Sequence, residues 1–121
     1  MDRQALGTTA ESIAREHLSA RGLSLVCANY RCRLGELDLV CLDGNVLVIV
    51  EVRLRSASRF GNACESINWS KRRRIVRATQ HLLMTHRELR SYPIRFDVIA
   101  FDDAVPTTAG VQWIRGAFDA T

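Results

Sequence analysis

The sequence contains one lysine and two prolines, and no apolar run approaches the roughly 20 residues that a membrane-spanning helix needs. It begins without the basic start, apolar stretch and cleavage site of a secretion signal, so we expect a cytoplasmic protein with no membrane partner. Repeats, low-complexity tracts and linkers rich in proline, glycine or serine are absent as well, so nothing suggests a second domain. Because 121 residues with 47% apolar side chains suffice to bury a core, we predict a single domain over residues 1–121.

The four cysteines lack the close pairing of a zinc knuckle. They are Cys27, Cys32, Cys41 and Cys64. A zinc site made of four thiolates would need them in pairs on turns, whereas Cys27 and Cys41 lie in apolar runs typical of strands. We therefore interpret the cysteines as reduced, small hydrophobic residues.

Positive charge is concentrated in the middle of the sequence. The net charge is −2 over residues 1–52, +9 over residues 53–95 and −3 over residues 96–121. A basic segment between acidic ends indicates a surface that meets a polyanion, and nucleic acid is the leading candidate. The alternative is an arginine-rich helix face that reflects codon bias, since sixteen of the seventeen basic residues are arginine.

Hydrophobic periodicity predicts a helix followed by three strands. Thr8 or Thr9 is the expected cap of this helix, and Gly22 lies just past its end. The residues that recur at helical spacing are Leu6, Ala10, Ile13, Ala14, His17 and Leu18. The strands are expected over residues 23–31, 37–42 and 46–54. Asp43-Gly44, between the last two strands, is a strong hairpin signal.

A second, longer helix and two more strands complete the predicted pattern. Ser70 is the expected cap of a helix that reaches about His86, with a short extra helix over residues 62–69 before it. Pro93 ends the connection that follows. The last two strands are expected over residues 94–101 and 111–118. The order α-β-β-β-α-β-β predicts an α/β domain in which helices flank a sheet.

The third strand carries a carboxylate within an apolar run. Side-chain alternation puts Glu51, Arg53 and Arg55 on one face of this strand and the neighbouring apolar residues on the other. A buried carboxylate is tolerated chiefly when a cation or a metal neutralises it. Glu51 is therefore a candidate functional residue.

The hairpin predicts a second carboxylate beside the first. With Asp43-Gly44 as a two-residue loop, Asp38 lies opposite Ile49 and is the diagonal neighbour of Glu51 on one face. Both carboxylates can then reach one hard cation such as Mg²⁺ or Mn²⁺. With Arg53 beside them, the group has the parts for phosphodiester hydrolysis, a Lewis acid and a fixed cation that faces a phosphate. The alternative is a cross-strand salt-bridge cluster without a metal.

These residues resemble a known motif. Asp38 followed by Glu51-Val52-Arg53 resembles the PD-(D/E)xK nuclease motif, which has a carboxylate on one strand and Glu-x-Lys on the next. From Gly7 to about Asp102 the chain also resembles the YraN-like family of small bacterial proteins, which is grouped with archaeal Holliday-junction resolvases. The matching blocks are Ala10-Glu11, Asn29-Tyr30-Arg31, GELDLV at 35–40, VEVRLR at 50–55, Phe60-Gly61, Lys71 and RFDV at 95–98.

The resemblance implies a restriction-endonuclease-like α/β fold, with a central mixed β-sheet flanked by helices. It also implies Asp38 and Glu51 as metal ligands, the main-chain carbonyl of Val52 as a third ligand, and Glu11 as a further carboxylate for the metal or its water. By position alone, Glu11 is an ordinary solvated acid near a helix start. Resolvase-like enzymes commonly act as dimers, so the resemblance allows a homodimer, although no dimer surface can be read from the sequence.

The sequence departs from the motif at Arg53, which stands where the motif has lysine. Arginine can hold a phosphate, but its pKa is too high for proton transfer, so cleavage should suffer if lysine has that role. Because arginine has replaced nearly all lysine in this chain, the change is also explained by compositional drift. The single lysine, Lys71, falls where the family also has lysine; it is expected either to reach the site or a phosphate, or to lie on the surface of a helix start.

Positive side chains gather around the first turns of the long helix and the loop before it, where a nucleic-acid backbone would lie. They are Arg55, Arg59, Lys71, Arg72, Arg73, Arg74 and Arg77. Trp69 and Phe60 are expected either to stack on exposed bases or to belong to the core. We interpret Arg95 and Asp97 as an ion pair on a sheet face.

Two functions from different classes remain. The first is a Mg²⁺- or Mn²⁺-dependent endonuclease that acts on branched or damaged DNA. The second is a non-catalytic nucleic-acid-binding module that keeps the nuclease fold, for which Arg53 is the best argument. DNA is favoured over RNA as the partner in both.

Overall fold

The structure is a computed structural model that describes residues 3–54, 67–101 and 106–120. The helices are α1 (Arg3–Ala20) and α2 (Trp69–Thr85), and the strands are β1 (Ser24–Cys32), β2 (Gly35–Asp43), β3 (Val46–Leu54), β4 (Ile94–Phe101) and β5 (Val111–Phe118). The predicted order α-β-β-β-α-β-β is therefore confirmed. The short helix predicted over residues 62–69 falls mostly outside the described residues, as does Cys64. No helix among the described residues is long and apolar enough to cross a membrane.

The five strands form one mixed sheet in the order β1-β2-β3-β4-β5. The strands β1, β2 and β3 pair antiparallel as successive hairpins, and β5 pairs antiparallel with β4. The central pair, β3 and β4, is parallel. A parallel pair needs a crossover connection, and α2 lies in that connection. The predicted mixed sheet flanked by helices is confirmed.

Each face of the sheet is covered by one helix. The α1-side core contains Ala10, Ala14, Leu18, Leu39, Cys41, Val48, Val50, Ile99 and Phe101. The α2-side core contains Leu37, Val40, Leu47, Ile49, Ile75, Ala78, Leu82, Phe96 and Val98. Successive residues of β3 alternate between the two cores, which explains why this strand is apolar on both faces. β3 is thus the central strand from which Glu51 projects.

Both helix caps predicted from the sequence are wrong. Helix α1 begins at Arg3, so Thr8 and Thr9 lie in its second turn rather than at its start. Threonine is only mildly unfavourable inside a helix, so its presence does not mark a boundary reliably. Helix α2 is capped by Asn68, whose side chain accepts a 2.9 Å hydrogen bond from the amide of Lys71, and not by Ser70. Asparagine and serine cap equally well, so sequence order alone could not choose between them.

The hairpin between β2 and β3 turns one residue later than predicted. Asp43 pairs with Val46, so the two-residue loop is Gly44-Asn45 and not Asp43-Gly44. Gly44 has a φ of +57°, and a hairpin loop of this kind favours glycine at its first position. The loop still has two residues, but the register opposite Ile49 changes, and Val40 rather than Asp38 faces it.

Candidate metal centre and nucleic-acid interface

Strands β1 and β2 change faces together beside the candidate site. Ala28 packs against the α1-side core whereas Tyr30, two residues later, packs against the α2-side core. Regular alternation would put both on one face. Asn29 lies between them with a φ of +53°, in the left-handed region that asparagine tolerates better than most residues. On β2 the same switch separates Leu39 from Leu37, so Asp38 sits at the bend.

At this bend the side chain of Asp38, rather than a main-chain carbonyl of β2, accepts the hydrogen bond from the backbone of β3. The ladder between β2 and β3 ends at the pair of Leu39 with Val50. One step further, the amide of Val52 donates a 2.9 Å hydrogen bond to the carboxylate of Asp38. The carboxylate is thereby fixed beside the β3 backbone. Burial raises the pKa of Asp38, and this hydrogen bond opposes the rise.

Glu51 lies directly beside Asp38. Its carboxylate accepts a hydrogen bond of 3.4 Å from the amide of Asp38, and the residue is 2% exposed. Burial, and then the negative charge of Asp38, raise the pKa of Glu51 to about 8. The structure therefore brings the two acids predicted from the motif together, across the hairpin rather than on a diagonal.

Two cations lie close enough to act on these acids. The charge of Lys71 lowers the pKa of both Asp38 and Glu51, and the charge of Arg53 lowers that of Glu51. Lys71 is half-buried and belongs to the first turn of α2. Lys71 is therefore near enough to influence both carboxylates, and its role at the site stays a prediction.

Glu11 lines a groove together with Asp38, but its carboxylate forms its hydrogen bond with Asn29 rather than with Asp38 or Glu51. A groove of about 340 Å³ is lined by Thr8, Ala10, Glu11, Asn29, Arg31, Glu36, Asp38, Val52 and Leu54. Within it, the Glu11 carboxylate accepts a 2.9 Å hydrogen bond from the side-chain amide of Asn29. Across residues 3–54, 67–101 and 106–120, no three His, Cys, Asp or Glu side chains converge as in a ready-made metal site. Glu11 as a ligand stays a prediction, as does the Val52 carbonyl.

The donor set at Asp38 and Glu51 nevertheless fits a hard divalent cation. Both side chains offer carboxylate oxygens, the ligand type that Mg²⁺ and Mn²⁺ prefer. Burial, and then repulsion from the charge of Asp38, make the ionised form of Glu51 unfavourable and raise its pKa to about 8. A cation held between the two oxygens would remove that repulsion. A pair of carboxylates on neighbouring strands is therefore suited to form half of a metal site, with main-chain or water oxygens as the other half.

The basic residues of α2 do not share one face. Arg72 donates a 2.9 Å hydrogen bond to the carbonyl of Ile67, and its guanidinium lies 5.4 Å from the centre of the Phe118 ring. Trp69 is 64% exposed, with the Arg73 guanidinium 4.7 Å from its ring centre. Trp69 is thus a surface residue rather than a core residue. The candidates Arg55, Arg59 and Phe60 lie outside the described residues.

Asp97 is more deeply embedded than the predicted ion pair suggested. It is fully buried and accepts hydrogen bonds from the guanidinium of Arg95, the indole of Trp113 and the amide of Gly116, at 2.9 to 3.0 Å. Arg95 also binds Asp43 at 3.1 Å, which ties β4 to the end of β2. The predicted ion pair is confirmed, and its bonds join β4 to both β2 and β5 through side chains.

Sequence reasoning missed the position of Asn29 and of two arginines, Arg31 near the end of β1 and Arg33 in the turn between β1 and β2. Asn29 belongs to one of the blocks that carry the resemblance, and an asparagine inside an apolar strand is unusual enough to mark a bend. Arg31 and Arg33 lie in the acidic amino-terminal half of the sequence, so the charge profile pointed away from them. Both line a groove beside the carboxylates.

Comparison with known proteins places the chain in a family. Residues 10–101 match the model described as "Uncharacterised protein family UPF0102". The chain belongs to this family. A UPF0102 protein of Legionella pneumophila is 44% identical over 97% of each chain. UPF0102 proteins of Pseudomonas fluorescens and Methylococcus capsulatus are 44% and 47% identical, covering 97% and 98% of this chain and 95% and 94% of their own.

The match confirms the resemblance to YraN-like proteins, which are the UPF0102 family. A restriction-endonuclease-like fold is consistent with UPF0102 membership and with the α/β architecture described above. The similarity extends over nearly the whole of each UPF0102 relative, so the carboxylate pair and α2 both lie within the shared region.

Proposed function

We propose that this chain is a metal-dependent endonuclease-like protein that binds structured DNA, branched or damaged, and cleaves its backbone. The pairing of Asp38 with Glu51 carries the proposal. In an ordinary salt-bridge cluster each acid would contact a cation, yet none of the ion pairs between described residues involves either acid. Asp38 binds a main-chain amide, and Glu51 binds the amide of Asp38. Two acids held this way, with one of them buried, are suited to a metal.

The proposed metal ligands are Asp38 and Glu51, with the Val52 carbonyl and Glu11 as further donors. Bound Mg²⁺ or Mn²⁺ supplies a Lewis acid that lowers the pKa of a coordinated water and neutralises charge on a phosphate. The hydrogen bond from the Val52 amide already orients the Asp38 carboxylate, so Asp38 would be the ligand with a fixed position. The side chain of Glu51 must lose its proton before it can act as a ligand.

Arg53 and Lys71 are the proposed phosphate-facing cations of the site. As an arginine, Arg53 can hold a phosphate and stabilise developing charge, but it is not suited to transfer a proton. Lys71 approaches from α2 and acts electrostatically on both acids. A lysine that reaches the pair from a helix offers the compact point charge that the third strand lacks.

The second candidate function is a nucleic-acid-binding module without efficient cleavage. The observation that favours it is Arg53, which occupies the position where the related nuclease motif has lysine. The two candidates share the basic surface and differ in whether the carboxylate pair performs chemistry. In the second, Asp38 and Glu51 would have a structural role, and metal binding would be weak or absent.

The test is a cleavage assay on four-way junction, duplex and single-stranded DNA with Mg²⁺ or Mn²⁺, alongside calorimetry of Mn²⁺ binding to the protein alone. We expect cleavage of the junction, lost to background in Asp38→Ala and Glu51→Ala, while DNA binding stays near the parent level. Glu16→Ala, an exposed acid on α1, is the matched control and should cut like the parent.

The outcomes separate the two candidates. Binding of DNA and Mn²⁺ without cleavage of any substrate would reject the endonuclease and leave a metal-binding module. Binding of DNA with no heat of Mn²⁺ binding would reject the metal site as well. An RNA junction of the same shape, run in parallel, tests whether DNA is the preferred partner.

A further inference from the structure

The consecutive basic residues of α2 are divided between two grooves. Lys71 and Arg74 are three residues apart and share one side of the helix, where they line a groove of about 460 Å³. Arg73 and Arg77 line a different groove, of about 200 Å³, together with Trp69. The basic residues of α2, which form one cluster in the sequence, therefore lie on two different surfaces of the protein.

The groove at Lys71 and Arg74 is completed by the turn between β1 and β2. Its lining residues are Arg31, Cys32, Arg33, Leu34, Gly35, Glu36, Lys71, Arg74 and Ile75. Four cations and one carboxylate, Glu36, give this lining a net charge of +3. We call it the turn groove.

The turn groove opens beside the carboxylate pair. Arg31 and Glu36 line both the turn groove and the groove that contains Asp38. Lys71 belongs to the turn groove and acts electrostatically on Asp38 and Glu51. A chain of phosphates that reached the carboxylates could therefore continue into the turn groove without leaving the surface.

Two of the four cations are available to a ligand. Arg33 and Arg74 are exposed, and neither takes part in an ion pair between described residues. Arg31 pairs with Glu36 at 3.3 Å, but both side chains are well exposed, so this contact is weak and easily exchanged for a phosphate. The groove thus has unneutralised positive charge.

The spacing between the turn and the helix is fixed by close backbone packing. A Cβ atom at Gly35 would lie 2.8 Å from the carbonyl oxygen of Arg74, closer than a side chain can approach. The turn therefore rests directly on the backbone of α2, which sets the separation of Arg33 from Arg74. A groove held at fixed width, with cations on both walls, is suited to a backbone of regularly spaced phosphates.

We propose that the turn groove binds the sugar-phosphate backbone of the DNA strand that enters the Asp38–Glu51 site, with Arg33 and Arg74 contacting phosphates from opposite walls. The proposal rests on the proposed function, because it assumes DNA as the ligand. It assigns a binding role to the turn between β1 and β2, which lies outside the basic middle segment of the sequence. It also predicts that the groove at Trp69 is not the path of this strand.

The test compares two double variants that remove equal charge from the two sides of α2. Arg33→Ala/Arg74→Ala empties the turn groove, and Arg73→Ala/Arg77→Ala removes the same charge from the Trp69 side. Binding of a fluorescein-labelled four-way DNA junction is measured by anisotropy over a series of NaCl concentrations, with EDTA present to prevent cleavage. All four residues are exposed, and circular dichroism confirms that each variant is folded.

We expect the first variant to weaken binding and to lower the slope of log affinity against log salt by about two units, since each phosphate contact contributes about 0.9. The second should change the slope by less than about one unit. Equal losses in both would mean that net charge alone matters, and a loss confined to the second would move the strand to the Trp69 side. Either result overturns the inference and leaves the proposed function standing, whereas a parent protein that binds no DNA rejects the proposed function itself.

Discussion

The amide of Asp38 donates a hydrogen bond to the carboxylate of Glu51, so one acid is held by the backbone of the other. The side chain of Asp38 in turn binds the amide of Val52, the residue that follows Glu51. These reciprocal bonds lock the two strands at the point where their regular ladder ends. The acids therefore stay adjacent although ionising both places like charges side by side, and this arrangement should have measurable consequences.

The first consequence concerns pH. Burial and Asp38 raise the pKa of Glu51 from 4.5 to about 8, so the folded protein keeps this proton longer than the unfolded chain. The contribution to stability is fully present below the ordinary pKa, falls as pH rises through the window between the two values, and levels off above the folded value. Without metal, we expect the free energy of unfolding to fall by about 1.4 kcal/mol for each pH unit within this window.

Urea unfolding in EDTA at several pH values measures this effect. Glu51→Gln is the control, since it keeps the shape of the side chain and cannot ionise. The parent should lose stability relative to this variant as pH rises. Parallel curves for the two proteins would mean that Glu51 ionises at an ordinary pKa and is not the buried acid described here.

The second prediction concerns the departure from the nuclease motif. Arg53→Lys should raise the rate of junction cleavage if arginine is a handicap, because lysine restores a compact charge beside the attacking water. Single-turnover cleavage rates measure this directly. A variant that is inactive while the parent cuts would mean that Arg53 is a working substitution with its own geometry. Lys71→Met, tested beside it, shows whether the helix lysine has taken over the role.

The third prediction concerns the bend at Asn29. Asn29→Ala should lower the free energy of unfolding by about 1–2 kcal/mol, because alanine is unfavourable at a positive φ. Asn29→Gly should cost less, because glycine accepts this conformation and only the hydrogen bond to Glu11 is lost. Urea unfolding compares the two variants. If alanine is tolerated as well as glycine, the bend is not held by the conformation of this residue.

The fourth prediction concerns the buried Asp97. Asp97→Ala removes the acceptor for Arg95, Trp113 and the Gly116 amide, and should lower the free energy of unfolding by about 3–5 kcal/mol. Asp119→Ala, an exposed acid just after β5, should change it by less than about 0.5 kcal/mol. Thermal unfolding of the two variants checks the contrast. Similar small losses in both would mean that Asp97 is replaceable and its network has little net value.

The strands were predictable because each is either an alternating run or a short, continuously apolar one, with turn residues at its ends. Val46–Leu54, Ile94–Phe101 and Val111–Phe118 have the bounds that the pattern predicts. The pairing of Asp38 with Glu51 also survives the wrong loop assignment, because a shift of the turn by one residue changes the register by two and keeps both acids on one side of the hairpin. Patterns within a short stretch of sequence thus suffice to predict the strands and the hairpin that pairs Asp38 with Glu51.

The remaining features depend on contacts between segments that are distant in sequence. The approach of Gly35 to the Arg74 carbonyl arises only when α2 crosses the sheet, and it divides the basic residues between two grooves. The change of face at Asn29 breaks the alternation on which strand prediction relies. The burial of Asp97 depends on Trp113, from a strand formed later in the chain. No pattern within one segment contains these relationships.

The strand order, in which β1, β2 and β3 are neighbours in sequence as well as in space, has a consequence for how the protein folds. Asp38 and Glu51 are thirteen residues apart and are joined by one hairpin, so their contact closes a short loop and forms early. Lys71 and Arg74 arrive only when the crossover docks α2 against the sheet, which closes a longer loop. We therefore expect the contact between Asp38 and Glu51 to be formed in the folding transition state. Lys71 and Arg74 should take their places beside it only after the transition state.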